Sequence, residues 1–215
     1  MANINMAQYL ENTEVEGPGK RFAIWVQGCQ RHCLGCCNPQ FLDFVPRTII
    51  DTEKVCAYIE ESKRSNGIEG VTFLGGEPVL QAKGLSEIAR FCHEIGLSVM
   101  VFTGYVREDL LREKLPYVDE LLQYTDLLVD GAFDQNKPET KRNWVGSTNQ
   151  RFHFMTDFYK SGIEYDERFS HGFELRIDCD GTLQTNGFPW QDVVTTRLSH
   201  IQQKPSGGKN GSDDF

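Results

Sequence analysis

Residues 21–38 read RFAIWVQGCQRHCLGCCN, an apolar run of strand length that stops at a glycine and passes straight into a cysteine-rich loop. The plan recurs downstream. GVTFLGG (70–76), LSVMVFTG (97–104) and TDLLVDG (125–131) are apolar runs that each end at a glycine. Between them, DTEKVCAYIEESKRS (51–65), LQAKGLSEIARFCHEIG (80–96) and VREDLLREKLPYVDELLQY (106–124) space their apolar residues as helices do, the last interrupted at Pro116. Strands alternating with helices predict an α/β fold with a parallel sheet and crossover connections. Two further strands are expected at RFHFM (151–155) and FELRID (173–178), the second turning through Asp180 and Gly181 into TLQT as a hairpin that leaves the sheet ending antiparallel. Within residues 1–20, Gly17, Pro18 and Gly19 mark a turn leading into the run at 21–28, which is read as the first strand.

A chain of 215 residues with 39% hydrophobic and 25% charged content can bury one sizeable core. A single domain is expected over residues 1–203, its core at about 17–155 and a C-terminal extension at about 156–203. KPSGGKNGSDDF (204–215) has almost no apolar content to offset the entropy of ordering and reads as a disordered tail. The formal net charge of -9 offers no attraction for a nucleic-acid backbone or an anionic membrane. No run approaches the roughly 18 apolar residues of a membrane span, and the N-terminus lacks a basic segment followed by an apolar one, so a cytoplasmic protein is expected.

Seven cysteines, four of them packed into residues 29–37, do not resemble the scattered framework of a small secreted domain. Cys29, Cys33 and Cys36 place three soft sulfur ligands in one loop, which suits zinc, copper(I) or an iron-sulfur cluster. Zinc in a structural site takes four protein ligands, and His32 or Cys37 could complete such a set. A dithiol at Cys33 and Cys36 is the redox alternative, and it leaves Cys29 without a role. A cubane on three cysteines keeps one iron free to bind a substrate. Cys37 reads as a small packed residue, Cys56 and Cys92 as buried thiols on helices, and Cys179 has no assigned role.

In parallel α/β folds ligands gather where the strands end. Here those ends carry Gly28 and Cys29; Gly75, Gly76, Glu77 and Pro78; Thr103, Gly104 and Tyr105; and Asp130 with Gly131. Glycines without Cβ allow close backbone approach to a ligand, Glu77 adds a carboxylate, and Pro78 keeps Glu77 out of the helical region. By topology, Thr103, Gly104 and Tyr105 stand near a nucleoside or cluster, and Asp130 near a ribose hydroxyl or a substrate amide.

The spacing Cys29-x3-Cys33-x2-Cys36 resembles the signature of the radical S-adenosylmethionine superfamily, and the Gly-Gly-Glu-Pro turn at 75–78 resembles its second motif. The resemblance implies a partial open (β/α)6-type barrel with a C-terminal hairpin extension. It also implies a [4Fe-4S] cluster on the three cysteines and S-adenosyl-L-methionine on the open iron, its methionine ammonium near Glu77. Within the superfamily, Gly35 and Asn38 around the third cysteine, and Trp144, Gly146, Ser147, Asn149, Gln150 and Arg151 downstream, are similar to the activating components of anaerobic ribonucleoside-triphosphate reductases. Asn38 is placed with the cofactor on that ground, and Trp144, Asn149, Gln150 and Arg151 with the partner. The implied substrate is a glycine of a glycyl radical protein, with a flavodoxin or ferredoxin type electron donor. Two departures stand out: Cys37 replaces a usual aromatic, and about 60 residues follow the matched region. A radical enzyme acting on a small molecule, nucleotide or peptide, and a non-catalytic zinc or iron-sulfur module, are the competing readings.

Overall fold

The computed structural model describes residues 2–169, 172–177, 179–181 and 183–187. The tail at 204–215 and the aromatic group Phe188, Pro189 and Trp190 lie outside them.

The four apolar runs form β2 (Arg21–Val26), β4 (Gly70–Gly75), β5 (Ser98–Phe102) and β6 (Leu127–Asp130), paired in parallel in that order. Their inner residues are almost wholly buried, as strands covered on both faces must be. The crossovers are α1 (Thr52–Asn66), α2 (Ala82–Glu94) and the pair α3 (Arg107–Glu113) and α4 (Val118–Gln123). Pro116 falls in the break between the last two, where Lys114 and Tyr117 both adopt left-handed backbone. Helix α1 starts on the Asp51 carboxylate, which accepts from Glu53 N at 2.8 Å, and stops at left-handed Gly67.

The sheet is larger than the six strands expected and holds only three crossover units. Two strands extend the sheet beyond β2, β1 (Asn3–Thr13) antiparallel to β2 and β3 (Thr48–Asp51) antiparallel to β1, giving the order β3-β1-β2-β4-β5-β6-β7 with β7 (Arg151–Phe154) antiparallel on β6. Residues 2–20 are thus mostly strand. Half of β1 is polar, and its inward residues Ile4 and Met6 are few, so no run marks it; its register also breaks twice against β2. Strand β8 (Phe173–Ile177) and β9 (Leu183–Gly187) form the expected hairpin as a separate two-stranded sheet, not as a continuation of the first.

At the end of the parallel strands opposite the cysteine loop, Arg21 is fully buried. Its guanidinium donates to Thr72 Oγ1 (2.6 Å), Val71 O (2.6 Å), Tyr159 OH (2.9 Å), Pro18 O and Ser98 Oγ (both 3.1 Å). These neutral acceptors come from β4, from β5, from the turn before β2 and from the segment after β7, so one cation fastens them together. Arg21→Ala strands several buried polar groups and opens a void. It should lower unfolding stability by about 3 kcal/mol or more, read as a shifted urea midpoint.

Candidate active site

A cavity of about 530 Å³ opens where the parallel strands end. Its walls include Cys29, Cys33, Cys36, Asn38, Gly75, Gly76, Glu77, Thr103 and Gly104, so one space collects the cysteine loop and the ends of β4 and β5. The loop leaves β2 at Gly28 and returns through a short turn at Pro39–Phe41. Gly28 N donates to Phe41 O and Cys29 N to Leu42 O, both at 2.9 Å, which closes the loop at its base. Inside it, Arg31 N and Asn38 N approach the sulfurs of Cys29 and Cys36 at 3.4 Å each. Such N–H groups stabilise sulfur that carries negative charge.

The thiols differ in their surroundings. Burial raises the pKa of Cys29 and of Cys33, whereas the Cys37 thiol, hydrogen-bonded to Cys36, draws Cys36 down to about 6. Cys37 therefore stands on the cavity wall beside Cys36 and is not packed into a core cluster as expected. Among the described residues no three histidine, cysteine, aspartate or glutamate side chains surround a single-ion site. The metal-ligating groups on the cavity wall are the sulfurs of the cysteine loop and two carboxylates, Glu16, which accepts from Gly187 N and Asn186, and Glu77, which accepts from Thr103 and Gly104, so sulfur dominates the set. That chemistry fits an iron-sulfur cluster on Cys29, Cys33 and Cys36.

Glu77 is the centre of the opposite wall. It is 1% exposed, and its carboxylate accepts from Thr103 Oγ1 and Gly104 N, both at 2.8 Å. Burial pushes its carboxyl up to about 7 despite these donors. Gly75 and Gly76 were expected to make room for a ligand, but what they make room for is protein. A Cβ on Gly76 would sit 2.4 Å from Gly28 O and 2.9 Å from Phe41 O, and one on Gly75, at φ +105°, would meet the backbone of Trp25 and Val26. Pro78 starts a short helical turn with Glu77 extended before it, as the sequence suggests.

Other expected site residues act one step back from the cavity. Tyr105 is buried off the wall; its hydroxyl meets Gln30 Nε2, and the Arg31 guanidinium lies 4.9 Å from its ring centre, so it braces the cysteine loop. Asp130 is fully buried and committed: it accepts from Arg151 Nε (2.9 Å) and Nη2 (2.5 Å) and from Arg107 N (2.7 Å), with His153 Nε2 at 2.9 Å. These donors hold its carboxyl below the usual range and leave little for a ribose. Arg151 also bridges to Glu108, and neither Asp130 nor Arg151 lines the cavity.

Trp144, Gly146 and Gln150 do line it. Trp144 has left-handed backbone (φ 64°) and packs on Phe169 and Phe152. Gln150 Oε1 accepts from Gly146 N (2.9 Å) and Ser147 N (3.1 Å), which shapes the loop. Asn149 lies off the wall; its Nδ2 donates to Ala132 O at 2.7 Å, while its Oδ1 is buried without a donor. Sequence reasoning missed Arg142, which pairs with Glu139 (2.6 Å) and donates to the carbonyls of Ser147, Thr148 and Gln150. It also missed Phe133 on the cavity wall. Neither stands in a recognisable spacing.

Cysteines after the first parallel strand and a Gly-Gly-Glu-Pro turn after the second, facing one cavity, define a radical S-adenosylmethionine protein. The chain belongs to the family described as 4Fe-4S single cluster domain, which matches residues 15–153. It is 31% identical over 162 residues to the anaerobic ribonucleoside-triphosphate reductase-activating protein of Pasteurella multocida, covering 72% of this chain and all of that one. The protein of the same name from Enterobacteria phage T4 is 32% identical over 151 residues, 66% of this chain and 89% of that one. The pyruvate formate-lyase 1-activating enzyme of Escherichia coli K12 is 35% identical over 142 residues, and there the chain spans 54% of the relative's length. No described helix is long and apolar enough to cross a membrane.

Two outcomes follow from this geometry. Gly76→Ala must push the base of the cysteine loop away, so after identical anaerobic reconstitution the variant should retain less iron per chain while its far-ultraviolet circular dichroism is unchanged. For Glu77, the folded pKa of about 7 exceeds the ordinary 4.5, so the folded state holds the proton longer. Its contribution to stability is present below about pH 4.5 and lost as pH rises through 7. Glu16, also raised to about 7 by burial, acts in the same direction. In the cluster-free chain, Glu77→Gln should remove roughly half of the loss in melting temperature between about pH 5 and 7.5.

Proposed function

We propose that this chain is a cytoplasmic activase that places a radical on a glycine of a partner protein, a glycyl radical enzyme such as anaerobic ribonucleotide reductase. The observation that carries the reading is the single cavity lined by Cys29, Cys33 and Cys36, by Gly76, Glu77 and Thr103, and by Trp144 and Gln150. The chemistry supplied by a [4Fe-4S] cluster and S-adenosyl-L-methionine, once bound, is one-electron cleavage to methionine and a 5'-deoxyadenosyl radical that takes a hydrogen atom from glycine. Reducing equivalents come from a flavodoxin or ferredoxin type donor.

The chain's own residues bind, orient and shield. Cys29, Cys33 and Cys36 hold the cluster by their sulfurs. Glu77, fixed by Thr103 and Gly104, has lone pairs left for an ammonium group, and such a cation would favour its ionised form. Asn38, at the end of the cysteine loop, stands on the same wall. Tyr105 and Asp130 serve as positioning residues, the first through Gln30 and Arg31, the second through Arg151 and Arg107. Trp144 and Gln150 face the partner's glycine segment, and the unpaired Asn149 Oδ1 awaits a donor that the described residues do not supply. The open seven-stranded sheet is read as a reduced form of the partial barrel that the motifs imply.

Anaerobic reconstitution with iron and sulfide should yield a brown protein that, when reduced, converts S-adenosyl-L-methionine to 5'-deoxyadenosine. Incubation with anaerobic ribonucleoside-triphosphate reductase should then give a glycyl radical by electron paramagnetic resonance. Glu77→Ala should weaken S-adenosyl-L-methionine binding by about tenfold or more, as expected for loss of one charged contact. A colourless chain with stoichiometric zinc would sink the proposal.

A further inference from the structure

Strand β9 forms part of the cavity wall through Thr185, Asn186 and Gly187. The family match ends at residue 153, so this wall is built from chain beyond the shared region. Its attachment is polar and specific. Arg176 Nη2 donates to Asn12 O (2.7 Å), Glu14 N donates to the Glu174 carboxylate (2.8 Å), and Asn186 Nδ2 donates to Thr13 Oγ1 (3.0 Å). Gly187 N donates to Glu16 Oε1 at 2.9 Å. Glycine is required there, because the backbone is left-handed (φ +94°) and a Cβ would lie 2.5 Å from Gly172 O.

Strand β9 is paired along one edge only. Strand β8 takes that edge, and among the described residues no strand lies along the other. The Gly187 N–H points to Glu16, away from β8. Successive residues of a strand alternate sides, so the N–H and C=O of Thr185 project from the same free edge, at the cavity wall. A free strand edge recognises peptide main chain whatever the side chains. Beside it, the hairpin turns Phe173, Leu175, Ile177 and Leu183 to solvent, each between 38% and 70% exposed.

We propose that the partner's glycine-bearing segment adds to this edge as a short extended strand, hydrogen-bonded to the main chain of Thr185, and is thereby delivered into the cavity. The inference rests on the activase reading and names how that site takes its protein substrate. The segment's flanking side chains cover the apolar face of the hairpin, which has no other cover among the described residues. Glycine, with no side chain to clash, then reaches past the edge toward Trp144 and the cysteine loop.

The test uses a fluorescein-labelled synthetic peptide carrying the radical-site glycine of an anaerobic ribonucleoside-triphosphate reductase, titrated anaerobically with the reconstituted full chain and followed by anisotropy. The peptide is N-methylated at one residue at a time, which deletes single main-chain donors without altering the protein. Pairing with Thr185 predicts that affinity falls about tenfold at the one residue whose N–H meets the Thr185 carbonyl and little at its two neighbours. Thr185→Pro, which deletes the donor on the β9 side, should raise KM for the peptide about tenfold with kcat for radical formation within about twofold. Uniform or absent effects of N-methylation overturn the proposal even if the proline variant does not fold. If the unmodified peptide never acquires a glycyl radical although the chain cleaves S-adenosyl-L-methionine, the activase reading falls and this inference with it. Radical formation insensitive to N-methylation removes the strand edge alone.

Discussion

One buried carboxylate joins the three strand ends that build the cavity. Glu77 follows β4, its carboxylate takes Thr103 and Gly104 at the end of β5, and its own N–H donates to Gly28 O at the end of β2 (2.9 Å). Gly76 N adds a bond to Val26 O at 2.7 Å. Placing a carboxyl in so dry a position costs several kcal/mol unless its oxygens are hydrogen-bonded, and here each oxygen accepts from a donor at the end of a neighbouring strand. The mouth is therefore fixed before any ligand arrives. Burial raises the Glu77 carboxyl to about 7, and a cation placed beside it would favour the ionised form.

How much of this was legible in the sequence depends on burial. The parallel strands could be read because both faces are covered, which forces continuous apolar runs such as FAIWV and VTFLG. The helices could be read from their spacing, down to the break at Pro116. Strand β1 could not, because it is an antiparallel strand with one face half exposed and a sequence, NINMAQYLENT, in which apolar and polar residues do not alternate cleanly. Strand β3 has four residues and one buried side chain, too short to carry a pattern. With both added on one edge and the strand at 173–177 set apart in the hairpin, what looked like six strands of a barrel became a seven-stranded sheet with antiparallel margins.

In the site, residue type was easier to read than residue role. The cysteines and the Gly-Gly-Glu-Pro turn stand where expected, since their position follows from strand ends alone. Yet the glycines answer to the close approach of the β2 end and the cysteine loop, a contact between segments about 35 to 50 residues apart that no local pattern records. Asp130 looked like a ligand group because it ends a strand. Its partners, Arg107, Arg151 and His153, come from a helix and a strand that only the fold brings together. The same holds for Arg142, whose bonds to three carbonyls fix the loop from Gly146 onward.

The wall and the loop of this cavity are built to different standards of rigidity. Around Glu77 nearly every polar atom has a partner, while the cysteine loop is bonded at its base, is braced by Tyr105 at Gln30 and Arg31, and between them and Asn38 holds one internal backbone bond, Cys36 N to Cys33 O at 3.1 Å. Left-handed His32 (φ 44°) and Gly35 (φ 76°) show that the loop follows no regular backbone, and Leu34 is 73% exposed. Its three sulfurs face the cavity without surrounding a common point. Binding a metal cluster on an irregular loop couples ligand affinity to the order of the loop. The crowding at Gly76 fits this division: the turn after β4 meets the cysteine loop at its base, at Gly28 and Phe41, which Gly28 N ties together through Phe41 O.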